Sequence, residues 1–217
     1  MDITDFVQTV AIYALPVLFA ITLHEAAHGY VARHFGDMTA YAQGRISLNP
    51  VRHIDPVGTI VVPLAILLLS GGRLPMFGWA KPVPVNYSAL RHPKQQMAWV
   101  AAAGPAANLA MVVGWAVLLK IAMALPTNYF TSPIHLMSEV GIRVNLVFMF
   151  LNLLPIPPLD GGRIVTGLLP HRLAWRYARL EPWGLFIVIA LLVTGVFNAA
   201  LMPLLRFSNA LIRALVL

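Results

Sequence analysis

The stretch TVAIYALPVLFAITLHEAAHGYV, residues 9–31, is almost wholly apolar yet holds His24, Glu25 and His28. A helix of about 20 apolar residues crosses the ~30 Å hydrocarbon core of a bilayer, and this stretch is long enough. Residues four apart share a helix face, so His24 and His28 direct their imidazoles to one point. H-E-x-x-H on a helix is the pattern in which two histidines bind Zn²⁺ and the glutamate beside them acts as general base of a metalloprotease. Its place inside a membrane-length segment puts the metal, and any bond hydrolysed there, below the membrane surface.

Working outward, the rest of the chain has the same character. Of 217 residues 59% are hydrophobic and 11% charged, whereas soluble domains carry about 25% charged residues. An integral membrane protein follows, with one domain over residues 1–217, since no linker, repeat or low-complexity tract divides it. The net charge of +7 flanks apolar spans as cytoplasmic loop charge does, and no nucleic-acid partner is expected. With no cysteine, thiolate ligands and cysteine nucleophiles are excluded, and a metal site must use His, Asp or Glu. The acidic start, Met1 to Asp5, lacks the basic region of a cleavable signal, so the first span is expected to persist in the mature protein.

Four stretches are long enough to span: about Thr9 to Val31, Met97 to Ala124, Leu136 to Pro155 and Trp183 to Leu205. Val57 to Ser70 is shorter, contains Pro63 and reads as a re-entrant segment. Residues 32–56 (Arg33, Arg45, Arg52), 71–96 (Arg73, Lys81, Arg91, Lys94) and 163–181 (Arg163, Arg172, Arg176, Arg179) are basic, while 1–8 and 125–135 have no Lys or Arg. The positive-inside rule puts the three basic loops in the cytoplasm. The fold expected is all-α and polytopic, about four transmembrane helices with a short re-entrant segment and small β-like elements at the cytoplasmic side. Those elements are Arg45 to Leu48 and Val83 to Val85, strand-like in composition and suited to pairing with an unwound substrate. His24 lies nine residues before Arg33, roughly 13 Å along the helix axis, so the site sits within the bilayer toward the cytosol and needs a water-filled cavity.

A catalytic zinc takes three protein ligands and keeps one position open. Among eight acidic residues, Asp2 and Asp5 lie at the wrong end, Asp37 is in a nearby loop, Glu181 sits among arginines and Glu139 has Arg143 as a partner four residues on. Asp160 closes an apolar span in NLLPIPPLDGG, residues 152–162, where three prolines forbid regular helix and irregular backbone at membrane depth lines a cavity. It is the expected third ligand. His53 and Asp55, in a turn-rich surface loop, are expected to be structural or gating residues.

These motifs, with GRISLNPVRHIDPVG (44–58), GWAKPVPVN (78–86) and AGPAAN (103–108), resemble the site-2 protease family of intramembrane zinc metalloproteases, in its compact branch without PDZ or CBS domains. The resemblance implies one Zn²⁺ per chain on His24, His28 and Asp160, with Glu25 as base, cutting a transmembrane helix of another protein in regulated intramembrane proteolysis. It also places an oxyanion-stabilising asparagine at Asn152; Asn108 is a second candidate, with interhelical hydrogen bonding as the competing reading for both, and for Asn145 the packing role is favoured. The expected partners are a transmembrane substrate and the lipid bilayer, with a homo-oligomer left open, in a multi-pass protein of the cell (inner) membrane whose site faces the cytoplasm. A metal transporter or permease would explain the buried ligands but gives Glu25 no task. An inactive helix binder is the third reading, against which Glu25 and Asp160 are both intact.

Overall fold

The structure, a computed structural model, describes residues 2–70, 78 and 80–215. Arg73 and Trp79 of the basic loop and its motif lie outside the described residues. Helix α1 covers Ile3–His34. Asp2 caps it by accepting from the Asp5 N–H at 2.7 Å, and Arg33 and His34 stand in its last turn, where cations complement the helix dipole. After the short α2 (Thr39–Ala42) come a 3₁₀ turn at Pro50–Arg52, a π turn at Pro56–Val61 and α3 (Val62–Ser70). A second 3₁₀ turn at Tyr87–Ala89 leads into α4 (Pro93–Ala124), which begins with a proline whose missing N–H needs no partner there. The remaining helices are α5 (Thr131–Asn152), α6 (Asp160–Leu168), α7 (His171–Ala178), α8 (Glu181–Val193) and α9 (Val196–Leu215).

Helices α1, α4 and α5 have 32, 32 and 22 residues. At ~1.5 Å per residue each exceeds the ~30 Å hydrocarbon core. Helix α4 is the spine, packed against α5, α1 and α6. Its Val112, Ala116 and Leu119 interlock with Ile142, Leu146 and Met149 of α5, and Leu205 and Ile212 of α9 lie against this cluster. A second cluster joins Ala32 of α1, Leu90 and Val100. Large apolar side chains such as Leu15, Phe19, Leu109, Val113 and Ile121 point outward instead. On helices of this length such outward faces suit contact with lipid.

Three helices are therefore long and apolar enough to cross a membrane, or four if α8 and α9 form one broken span. The uninterrupted span expected at Trp183 to Leu205 is corrected: the chain bends by 74° between α8 and α9, at Gly195, whose φ of +76° is open to glycine. Among the described residues Glu139 and Arg143 form no ion pair either. The apolar stretch Pro56–Leu69 is helical and short, too short by itself to cross.

The expected β-like elements are also corrected, because no strand occurs among the described residues. Their backbone groups are engaged by side chains and single carbonyls rather than by a ladder. The Val83 N–H donates to Glu25 at 2.7 Å, the Asn86 N–H to Asp37 at 2.7 Å and the Lys81 N–H to the His53 carbonyl at 3.0 Å. Arg45 Nη2 in turn donates to the carbonyls of Lys81 and Pro82 at 3.0 and 3.2 Å. Residues 81–86 thus form a strap tied across the C-terminal part of α1.

Candidate metal centre

His24 and His28 lie one turn apart on α1, their rings edge to face with centroids 4.7 Å apart. Asp160, the first residue of α6, approaches both from another part of the chain. Its Oδ2 is 3.1 Å from His24 Nε2 and 3.3 Å from His28 Nε2, and the two Nε2 atoms are 3.1 Å apart. All three side chains are buried.

Two glycines make this convergence possible. Proline-rich residues 153–159 are irregular and turn the chain back, so that Gly161 packs directly on the backbone of Leu153 and Leu154, where a Cβ would collide with both carbonyls. On α4, Gly104 faces the two imidazoles themselves. A Cβ there would stand 2.5 Å from both His28 Nε2 and His24 Cε1, so only glycine lets α4 pass this close. Arg163 Nη1, three residues after Asp160, donates to the Tyr87 hydroxyl at 3.0 Å and ties α6 to the loop. Burial raises the Tyr87 phenol pKa while Arg163 opposes the shift.

The far nitrogens of both rings are occupied. His28 Nδ1 is 2.7 Å from the Val100 carbonyl and His24 Nδ1 is 2.6 Å from Asn108 Oδ1. Facing oxygen acceptors, both Nδ1 atoms carry the proton, which leaves a lone pair on each Nε2. Three lone-pair atoms then face one another, and Asp160 Oδ2 has no hydrogen-bond donor. Such an arrangement is repulsive without a cation among them. Ligands ~2.0–2.1 Å from a tetrahedral ion stand about 3.3 Å apart, close to the three separations observed. The donor set of two imidazoles and one carboxylate is also one that catalytic zinc uses. The residues fit zinc.

Around this trio the sequence candidates separate. Glu25 is half-buried, its Oε2 accepting from the Val83 N–H. Asn108 is fully buried, with Oδ1 on His24, while Nδ2 donates to Asn145 Oδ1 at 2.9 Å and to the Ala20 carbonyl at 3.4 Å, interhelical hydrogen bonds of the kind weighed against its oxyanion role. With both amide hydrogens used, Asn108 has no donor left for an oxyanion. Asn152, in the last turn of α5, donates to the Phe148 carbonyl of its own helix at 3.0 Å. His53 is buried beside the Ser47 carbonyl at 2.7 Å, and Asp55 caps the π turn through the N–H groups of Val57 and Gly58; neither joins the His24, His28 and Asp160 group. Sequence reasoning missed Val83 and Val100, which act through backbone atoms and so leave no side-chain signature. Asn145, an asparagine buried in an apolar helix, carried a signal in that burial cost.

The profile of Peptidase family M50 matches residues 120–195. The chain is 37% identical over 195 residues to YwhC of Bacillus subtilis (strain 168), which carries a zinc-metalloprotease name, covering 88% of this chain and 84% of that one. It is 32% identical over 185 residues to Rip2 of Mycolicibacterium smegmatis, covering 83% of this chain and 66% of that relative, which carries a zinc-metalloprotease name too. No solved structure matches. The extent of the match to YwhC, together with apolar helices of spanning length around a histidine and aspartate cluster, shows that the chain belongs to Peptidase family M50, the site-2 proteases, and is a multi-pass membrane zinc metalloprotease.

Proposed function

We propose that this protease cuts a peptide bond within or near the transmembrane helix of another membrane protein, in regulated intramembrane proteolysis, with His24, His28 and Asp160 as the zinc ligands and Glu25 as general base. The observation that carries this reading is the meeting of three buried lone-pair atoms partway along a helix long enough to span. His24 lies ten residues from the C-terminal end of α1, about 15 Å along its axis. Zinc, when bound, lowers the pKa of water and polarises a carbonyl as a Lewis acid.

Glu25 takes the proton from the attacking water and passes it to the leaving amine. A carboxylate accepts several hydrogen bonds, so the Val83 N–H on Oε2 orients Glu25 while leaving capacity for water. Asn152, eight residues before Asp160, supplies a donor to the oxyanion that develops on the scissile carbonyl, by turning its amide from Phe148. The site faces the cytoplasm of a cell membrane, because α1 ends in the loop containing Arg45 and Arg52 and α6 leads into Arg172, Arg176 and Arg179, whereas residues 125–135 have no Lys or Arg.

The test is cleavage of a panel of tagged single-span membrane proteins by purified enzyme in detergent. Wild type is expected to cut, metal-stripped protein to recover on zinc addition, and Glu25→Gln to keep zinc while losing at least ~10²-fold in rate, the usual size of a general-base contribution. Cleavage by Glu25→Gln at the wild-type rate would contradict the role given to Glu25. Products ending well outside the substrate's apolar segment would contradict the intramembrane reading.

A further inference from the structure

We propose that Asn145 is a positioning residue which, acting through Asn108, fixes the tautomer of His24 that leaves a lone pair on Nε2 for the metal. This rests on the metal-site reading above. Asn145 is on α5 and fully buried, and among the described residues its hydrogen-bond chain reaches His24 only through Asn108.

The relay starts at an acceptor that cannot change its role. The Gly141 carbonyl, one turn earlier on α5, only accepts hydrogen bonds, and Asn145 stands 2.8 Å from it. Asn145 must therefore turn Nδ2 toward Gly141 and Oδ1 toward Asn108. Asn108 must then present Nδ2, at 2.9 Å, to that oxygen. The Ala20 carbonyl of α1, 3.4 Å from the same Nδ2, demands the same orientation. Asn108 Oδ1 is left facing His24 at 2.6 Å, so His24 carries its proton on Nδ1.

Each link passes one direction to the next: a carbonyl of α5 orients an amide of α5, which orients an amide of α4, which sets a ring of α1. His28 needs no such relay because the Val100 carbonyl touches its Nδ1 directly. At His24 Nδ1 the acceptor is the Asn108 side chain instead. With Asn145 removed, only the 3.4 Å contact to the Ala20 carbonyl, longer than a good hydrogen bond, still holds Asn108; the amide can then rotate and offer Nδ2 to His24, which would move the ring proton to Nε2 and cover the metal-binding lone pair. A simple packing role for Asn145 would hold α4 to α5 but would leave the ring indifferent to Asn145.

The experiment uses full-length protein in detergent and zinc itself as probe. Two quantities are read: the zinc dissociation constant by chelator competition, and the ¹⁵N spectrum of histidine-labelled, metal-free protein, with His24 assigned by its loss in His24→Gln. Wild type is expected to show His24 protonated on Nδ1. Asn145→Leu should populate the Nε2–H form and weaken zinc binding ~10–100-fold, the range for partners behind a metal ligand. Asn145→Ala, which leaves space rather than bulk, should do the same and serves if the leucine variant does not fold. Asn108→Asp gives His24 an acceptor with no donor to offer, so adding Asn145→Leu to it should change zinc affinity less than ~3-fold and keep the Nδ1–H form; contacting residues couple through packing as well, so it is the retained tautomer that separates the relay from packing. A folded Asn145→Leu or Asn145→Ala protein with wild-type tautomer and zinc affinity overturns the proposal while the metal site stands. Zinc binding that His24→Gln leaves unchanged overturns the metal-site reading, and the relay with it.

Discussion

Gly104 shows how much of the site depends on one missing methyl group. A Cβ at this position falls 2.5 Å from His28 Nε2 and His24 Cε1, and both rings are already pinned at Nδ1, to Val100 and Asn108. Neither ring can rotate away without breaking a buried hydrogen bond. For Gly104→Ala the helices must separate instead, at a cost of ~1–3 kcal/mol typical of overpacking. The expected result is a lowered thermal midpoint together with zinc affinity at least ~10-fold weaker by chelator competition. An alanine variant with wild-type zinc affinity would mean that α4 does not bear on the ligands. Beside it, Glu25 illustrates a residue whose place in the motif was legible and whose orientation was not. The motif supplies a glutamate next to two histidines; that a valine amide from position 83 binds it has no trace in residue type.

Among the elements, the strap at residues 81–86 was readable as extended and proline-bounded, but its partners were not. Strand-like composition suggests a ladder, and here the N–H groups of Val83 and Asn86 go instead to Glu25 and Asp37. Asp37 is fully buried and also accepts from the Thr39 N–H at 2.9 Å. Removing it in Asp37→Ala leaves two donors without their acceptor, at about 1–3 kcal/mol for each buried group left unsatisfied. Amide exchange at Val83 and Asn86 is expected to rise by ~10-fold or more, with the amides of α4 and α5 unchanged; equal protection in the variant would show that the strap is held by other contacts. The break between α8 and α9 escaped the sequence for a different reason. Apolar residues continue on both sides of Gly195, so hydropathy alone reads one span, and the single glycine at φ +76° is a weak signal.

For the whole molecule, the apolar lengths and the H-E-x-x-H motif make a membrane metalloprotease legible in the amino-acid sequence, since both follow from spacing along one helix. Asp160 was reachable by elimination because acidic residues are few. The pairing of helix faces was not: α4 is apolar nearly all round, and no periodicity says that Gly104 meets α1 or that Asn108 meets Asn145. The cytoplasmic orientation proposed above rests on the distribution of basic residues. The chain has no cysteine, so single cysteines report topology cleanly. Asn128→Cys and Arg172→Cys are expected to react with a membrane-impermeant maleimide from opposite sides of the cell membrane, the first from outside; labelling of both from one side would contradict the cytoplasmic placement of the site.

Every function assigned here depends on His24, His28 and Asp160 together holding zinc inside this bundle. X-ray absorption at the zinc edge, on purified wild type and on Asp160→Ala, addresses that point directly. One zinc per chain with two imidazoles among its nitrogen and oxygen neighbours, and a markedly reduced zinc content in Asp160→Ala, is the expected result. A zinc environment without imidazole, or one unchanged by loss of Asp160, would contradict it.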